Sequence, residues 1–145
     1  FQNLALWPRM TVVENVMAGA HIKGKQNFFS AMARIGFKAE ERSLRNEAYK
    51  TLEMLDLSEF AANPFDGLPF GTMKRIELAR ALVSGPKLLL LDEPATGLTQ
   101  SEVAELSDLI LSIRDDCDLT ILLVEHHMGM VMSMSEKIVV IVFGE

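Results

Sequence analysis

The spacing of apolar residues divides this chain into a helical first part and a second part in which strands alternate with helices. Up to Ser84, apolar residues recur every three or four positions, which is the spacing of a helix with one buried face. The helical segments predicted there are residues 12–18, 40–55, 58–62 and 73–84. Thr11 and Glu14 are spaced as a capping box at the start of the first of these helices. Residues 21–37 lack clean periodicity, and we interpret them as loop with some helix.

Continuous apolar runs replace the helical spacing in the second part. Four leucines follow the turn signal Gly85–Pro86, which predicts a strand buried on both faces of a parallel sheet. Further strands are predicted at 119–124 and 137–143, and a short helix at 129–134. Thr99 and Glu102 are spaced as a second capping box, which opens a helix with an apolar stripe on one face: Val103, Leu106, Ile110 and Ile113. Alternating strands and helices favour parallel pairing through right-handed crossovers. The predicted fold class is therefore α/β, with a helical subdomain (1–85) followed by part of a parallel-sheet core (86–145).

Two carboxylates stand where the leucine strand ends. In open α/β sheets, ligands bind at the carboxyl ends of the strands. Successive residues of an extended strand point to opposite faces, so Asp92 and Glu93 are expected to have different roles. One would hold a hydrated Mg²⁺ while the other polarises a water, as nucleotide hydrolysis requires. The alternative is a buried strand that ends in ordinary solvated acids.

Composition narrows the possible functions of the 145 residues. The net charge is −6 and no basic block occurs, which argues against nucleic-acid binding. The single cysteine, Cys117, excludes an intrachain disulfide and fits a reducing compartment. The longest apolar run, Ile138–Phe143, is far too short to cross a membrane. The chain begins and ends abruptly, from which we expect a fragment of a longer protein.

Four short motifs occur in a fixed order along the chain. They are Phe1–Gln2, Leu68–Thr72, Leu88–Glu93 and Glu125–His126. With a helical insertion between the first two, they resemble the ATP-binding subunit of an ABC transporter. The resemblance spans the chain and is particularly close to the ATPases of branched-chain amino acid importers, whose signature likewise begins Leu-Pro-aromatic-Gly. It implies an incomplete P-loop NTPase (ABC ATPase) fold.

The resemblance implies roles for residues at the hydrolytic site, with ATP and Mg²⁺ as cofactors. Asp92 would support the Mg²⁺ through water, and Glu93 would be the general base that activates the attacking water. His126 matches the switch histidine that contacts the γ-phosphate. Gln2 matches the glutamine that joins the metal site to the transmembrane subunit. Phosphoryl transfer needs positioning and charge stabilisation, which such groups supply.

A second set of residues would bind the nucleotide held by a partner subunit. Here Gly71 lets the backbone approach a phosphate, and a helix beginning at Met73 presents its positive end. Pro69 and Thr72 replace the Ser and Gln of the wider family, and the alternative is a simple turn before a helix. The resemblance assigns nucleotide contact to Leu68, Pro69, Phe70, Gly71 and Thr72, and places Gly97 and Leu98 in the loop that crosses to the second ATPase subunit.

Three other features have structural or functional explanations. His127 stands where relatives carry Asp, and we assign it no role. The alternating methionines of residues 128–134 resemble a soft-metal site, but packing under a short helix is favoured. Trp7 is either a core residue or part of the surface that receives a transmembrane subunit.

The phosphate-binding motif G-x-x-x-x-G-K-[ST] does not occur in these 145 residues. The favoured hypothesis is an ATPase subunit, paired with a second ATPase subunit and with transmembrane permease subunits. It would lie at the cytoplasmic face of the membrane, without direct membrane insertion and without binding nucleic acid. The alternative is a non-catalytic interaction module that docks on a membrane subunit or partner ATPase. A soluble ABC ATPase acting in translation or DNA repair is a third, weaker hypothesis.

Overall fold

The structure, a computed structural model, describes residues 6–20 and 37–141, without the side chains of residues 37–40. The chain divides into two compact units, Phe1–Pro86 and Lys87–Glu145. The Phe1–Gln2 motif lies outside the described residues. So does nearly all of the segment interpreted as loop with some helix.

The described residues of the first unit form three helices and one short helical turn. Helix α1 spans Val12–Ala20, α2 spans Phe37–Met54 and α3 spans Phe70–Leu82, with a 3-10 turn at Ser58–Phe60. The predicted helices are thus confirmed in type and order. Their starts were less accurate, because both α2 and α3 begin three residues earlier than predicted.

Helix α1 packs against both α2 and α3 and forms the centre of the first unit. Its residue Gly19 faces the backbone of α3, and a Cβ there would lie 2.9 Å from Arg80 Cγ and 3.0 Å from the Arg80 carbonyl carbon. The helices can approach this closely only because Gly19 has no side chain. The fully buried apolar side chains among the described residues of this unit come from the three helices and the residue after α2: Val12, Val16, Ala20, Ala48, Leu52, Leu55, Ile76 and Ala79.

The N-terminal end of α1 is fixed by side-chain hydrogen bonds. Thr11 N donates to Glu14 Oε2 at 2.8 Å, and Glu14 N donates to Thr11 Oγ1 at 3.4 Å, which confirms the expected capping box. Asn15 is fully buried. Its Nδ2 donates to the carbonyl oxygens of Trp7, Met10 and Thr11, and its Oδ1 accepts from Trp7 N at 2.8 Å. One amide therefore holds the whole turn before α1.

The second unit is built on two parallel strands. Strand β1 (Leu88–Asp92) pairs with β2 (Thr120–Val124) in a register that sets Leu88 beside Thr120 and Asp92 beside Val124. Helix α4 (Gln100–Cys117) connects the strands, and α5 (Met128–Met134) follows β2. The two strands therefore end at the same edge of the sheet, which is where the candidate site lies.

Helix α4 confirms the prediction made from its sequence pattern. Thr99 and Glu102 form a capping box, with Thr99 N donating to Glu102 Oε2 at 2.8 Å. Hydrogen bonds from the Thr99 hydroxyl and N–H lower the pKa of Glu102. The predicted apolar stripe of α4 is buried: Val103, Leu106, Ile110 and Ile113.

Two predictions for the sheet were wrong. Strand β1 is covered on one face only, because Leu89 is buried whereas Leu88 and Leu90 are 52% and 65% exposed. The third strand, expected at 137–143, is not formed in the part of it that the structure describes, where Ile138–Ile141 has no regular structure and is exposed. Apolar β-branched residues favour a strand, but a strand also needs a neighbour to pair with.

Candidate functional site

The backbone turns sharply between the two carboxylates that follow the leucine run. Strand β1 ends at the exposed Asp92, and Glu93 adopts a positive φ of 46°. The expectation that both residues lie on one extended strand was therefore wrong. Glu93 N still donates to Val124 O at 2.8 Å, so this turn is tied to the end of β2. The two carboxylates differ in setting because of the turn rather than through strand alternation.

Two tight turns carry the chain from Glu93 to helix α4. Thr96 N donates to Glu93 O at 3.2 Å, and Leu98 N donates to Ala95 O at 3.1 Å. Gly97 has a φ of 84°, a conformation that suits glycine at the third position of a β-turn. Gly97 and Leu98, which the resemblance assigned to the crossing loop, thus lie on a defined turn.

The structure brings Glu93 and His126 together across the ends of the two strands. His126 Nδ1 lies 3.5 Å from Glu93 Oε1, and Thr96 Oγ1 donates to Glu93 Oε2 at 3.3 Å. Both side chains are open to solvent, with 48% of the Glu93 side chain and 76% of the His126 side chain exposed. A carboxylate and an imidazole at this distance can share a proton or bind a common water.

From the sequence, Glu125 was assigned no role of its own beyond the Glu125–His126 motif. In the structure its carboxylate accepts three hydrogen bonds from backbone N–H groups. Its side chain is fully buried. Oε1 accepts from Ala95 N at 2.9 Å, and Oε2 accepts from the backbone N–H groups of His126 at 2.8 Å and His127 at 3.0 Å.

Burial by itself would raise the pKa of Glu125. The hydrogen bonds from the N–H groups of His127, Ala95 and His126 outweigh burial and hold the pKa below its ordinary value. Glu125 is therefore a buried carboxylate in its charged form. The sequence signal that could have revealed it is an acid placed directly after a parallel strand, where the ladder of backbone hydrogen bonds stops.

His127, to which we assigned no role, caps helix α5. Its Nδ1 accepts a hydrogen bond from Met130 N at 3.3 Å, which requires that this nitrogen carry no proton. The packing expected of the methionines holds for Met130, which is buried, but not for Met128 and Met132, which are 62% and 66% exposed. Within the described residues, no cluster of three or more His, Cys, Asp or Glu side chains is arranged to hold a metal.

The Leu68–Thr72 motif overlaps the first turn of α3 rather than preceding it. The helix begins at Phe70, with Pro69 as its N-cap, and Met73 N donates to Pro69 O at 3.0 Å. The expected start at Met73 was therefore wrong. The N–H groups of Phe70, Gly71 and Thr72 belong to the first turn, which has no preceding carbonyl groups to bond. These three amides, rather than the helix behind them, would meet an anion.

The predicted metal ligands are Asp92 and Gln2. Gln2 lies outside the described residues. Asp92 offers a solvent-exposed carboxylate at the end of β1. Proteins commonly bind Mg²⁺ through one or two carboxylates together with waters and the phosphates of the substrate. A single carboxylate fits that mode, and a dedicated cage of protein ligands is not needed.

The described structure thus combines a helical unit with a parallel pair of strands that have acids at their ends. The chain belongs to the ABC transporter family, whose model matches residues 1–96. No helix within the described ranges is both long and apolar enough to span a membrane.

Two curated relatives of the chain are ATP-binding proteins of amino acid transport. The chain is 39% identical, over 97% of its length, to the high-affinity branched-chain amino acid transport ATP-binding protein BraF of Pseudomonas aeruginosa. It is 37% identical, over the same share, to LivG of Escherichia coli, which has the same description. In each case it spans 56% of the relative's length.

Solved structures agree with the sequence comparison. The chain resembles MJ1267, an ATP-binding cassette of an ABC transporter, with a TM-score of 0.73 and 29% identity over 92% of this chain and 52% of that one. It resembles cbiO1 from Clostridium perfringens, part of the ABC transporter complex cbiONQ, with a TM-score of 0.70 and 27% identity over 88% of this chain and 45% of that one. The predicted α/β fold of an incomplete ABC ATPase is thereby confirmed.

Proposed function

We propose that this chain supplies the hydrolytic and signature parts of an ATP-hydrolysing subunit that powers an ABC importer of branched-chain amino acids. The observation that carries the proposal is the meeting of Glu93 and His126 at the ends of two parallel strands, 3.5 Å apart and open to solvent. The relatives BraF and LivG support the transported class of solute, because both are described as branched-chain amino acid transport ATP-binding proteins.

In this proposal Glu93 is the general base. Its Oε1 faces the imidazole of His126, and Oε2 accepts from the Thr96 hydroxyl, so the carboxylate is oriented while its surface remains open to a water. The water would lose a proton to Glu93 as its oxygen attacks the γ-phosphorus of ATP, while the bond from that phosphorus to the bridging oxygen breaks and ADP leaves with the electron pair. His126 would donate a hydrogen bond to a γ-phosphate oxygen, where negative charge is located throughout the transfer.

Asp92 would hold the Mg²⁺ through a water, together with Gln2. When bound, the ion supplies positive charge that offsets the negative charge on the phosphates. The amides at the start of α3 would contact the γ-phosphate of ATP held by a second ATPase subunit, since the first turn of a helix offers free N–H groups and a positive dipole end. Gly71 would let the backbone approach that phosphate closely.

The remaining partners follow from the same proposal. Transmembrane permease subunits would bind the helical unit, and the subunit would lie peripherally at the cytoplasmic face of the membrane. Trp7 and Met10 support this docking, because they remain 45% and 40% exposed on a turn that Asn15 holds rigidly. The Trp7 ring stacks with Arg80, whose guanidinium carbon lies 4.7 Å from the ring centre.

Hydrolysis can be tested in an extended chain. The part of BraF that precedes its matching segment would be joined to Phe1, and we call this protein the extended chain. It should bind and hydrolyse ATP. Glu93→Gln should lower hydrolysis by about a hundredfold or more while ATP affinity stays within about threefold, because an amide keeps the shape of the side chain but cannot act as a base.

The control is Glu136→Gln, which makes the same chemical change at a side chain that is 91% exposed. It should leave both hydrolysis and binding unchanged. Hydrolysis by Glu93→Gln at the rate of the unmodified extended chain would remove Glu93 from the role of base. An extended chain that binds ATP without hydrolysing it would favour the non-catalytic interaction module.

A further inference from the structure

Glu125 occupies an unusual place in the sheet. The ladder between β1 and β2 ends at the pair Asp92 and Val124, and Glu93 N makes the last backbone hydrogen bond to β2. Beyond that point Ala95, His126 and His127 all direct N–H groups towards the carboxylate of Glu125. The buried carboxylate of Glu125 thus accepts the backbone hydrogen bonds that lie beyond the last one between the two strands.

The three hydrogen bonds are divided between the two sides of the site. Oε1 bonds the segment that follows Glu93, whereas Oε2 bonds the segment that carries His126. The Glu93 and His126 side chains are themselves exposed, and the distance between them is 3.5 Å. Their relative position therefore depends on what holds the two segments, and Glu125 is the side chain that bonds the backbone of both. Its Oε2 also lies 3.7 Å from His126 Nδ1, so it contacts one of the two side chains directly.

We propose that Glu125 is a positioning residue, whose buried carboxylate fixes the backbone on both sides of the site and so sets Glu93 and His126 at working distance. This deepens the proposed function, because it concerns the same hydrolytic site. A carboxylate suits the task because it only accepts hydrogen bonds and offers two oxygens to three donors. Nothing of the nucleotide is contacted by Glu125 in this role.

Two substitutions of Glu125 should change its hydrogen bonds in different ways. In Glu125→Gln, one oxygen becomes an NH₂ group, which cannot accept from an N–H and would face it donor to donor. The variant can therefore satisfy the Ala95 side or the His126–His127 side, but never both. In Glu125→Asp both oxygens remain and the side chain is one methylene shorter. The shorter carboxylate should keep its hydrogen bonds from the adjacent N–H groups of His126 and His127. It should lose the hydrogen bond from Ala95 N–H, which lies across the site.

Hydrogen exchange of individual amides in the extended chain tests the positioning directly. Glu125→Gln should speed exchange by about tenfold or more at Ala95 or at the His126–His127 pair, the loss expected when a hydrogen bond to a charged group is broken. Glu125→Asp should speed exchange at Ala95 while His126 and His127 stay within about threefold. The control Glu136→Gln should change none of these amides.

Kinetics of the same variants separate positioning from general support of the fold. Glu125→Gln should lower kcat for ATP hydrolysis by about tenfold or more and leave ATP affinity within about threefold. Unchanged exchange at all three amides, or exchange that speeds equally along all of β1 and β2, would overturn the inference. So would an unchanged kcat in an active extended chain. The exchange measurement needs no hydrolysis, so an inactive extended chain would contradict the proposed function while the amides still decide the role of Glu125.

Discussion

For Gly19→Ala, the packing seen in the structure predicts a loss of stability, whereas helix propensity predicts a gain. Gly19 lies inside α1, where alanine is ordinarily more favourable than glycine by about 1 kcal/mol. In this unit the new Cβ would overlap the backbone of Arg80, because it would lie closer to the carbonyl oxygen than van der Waals contact allows. The backbone of a helix cannot rotate away as a side chain can. Either α1 or α3 must therefore move.

The expected change in the free energy of unfolding is the difference between two opposing contributions. Overpacking a well-filled interior typically costs 1–3 kcal/mol, and contact with backbone places this site towards the upper end. Subtracting the gain in helix propensity leaves a net loss of about 2 kcal/mol in the free energy of unfolding. With a urea dependence of about 2 kcal/mol per molar, the midpoint should fall by about 1 M.

Urea unfolding followed by fluorescence of Trp7 is the suitable assay, because this chain has a single tryptophan and it lies in the same unit. Ala18→Gly is the matched control, since it reverses the change at the neighbouring position and should cost only the propensity difference, about 1 kcal/mol. A Gly19→Ala chain as stable as the unmodified one, or more stable, would refute the close packing of α1 on α3.

The remaining predictions concern nucleotide binding. Gly71→Asp in the extended chain should weaken ATP-driven dimerisation and suppress hydrolysis but leave the ATP affinity of the monomer unchanged, because a side chain and a negative charge would stand where the first turn of α3 meets a partner's phosphate; dimerisation measured by light scattering at the unmodified level would contradict this. The 145-residue chain alone should bind ATP very weakly and show no hydrolysis, because without the phosphate-binding motif its remaining groups supply few phosphate donors. Its sheet should aggregate or stay loosely packed, because one face of β1 and β2 is apolar and exposed, whereas the helical part, residues 7–84, should survive better because it relies more on local contacts. Strong hydrogen-exchange protection across both strands in a soluble monomer, or micromolar ATP affinity, would show that prediction to be mistaken.

Local patterns were the part of this structure that the sequence predicted well. Both capping boxes form, because Thr and Glu three residues apart can bond each other's backbone whatever surrounds them. The apolar stripe of α4 is buried as its spacing predicted. The parallel pairing of β1 and β2 also followed from the order of elements, since a strand, a helix and a second strand favour that topology.

Features that depend on the meeting of distant segments were missed or misread. The start of α3 at Phe70 went unrecognised, because the sequence does not reveal that Pro69 acts as its N-cap. The positive φ of Glu93 was unexpected, since non-glycine residues rarely adopt it without support from their surroundings. The role of Glu125 depends on Ala95, thirty residues away, and spacing alone does not reveal that contact.

In the proposed function this chain contributes two faces to the ATP sites of a dimer, one with Glu93 and one with Gly71, and each face completes its site with the opposite face of the second ATPase subunit. Mixing extended chains that carry Glu93→Gln with chains that carry Gly71→Asp tests it most directly. Each variant alone should be inactive, because every site has one defect. If the faces come from different subunits, each heterodimer of the two variants has one intact site and one site with both defects. Hydrolysis should then recover in the mixture, to about a quarter of the unmodified rate if the two variants pair at random and to less if Gly71→Asp weakens pairing. A mixture as inactive as its components would contradict the claim.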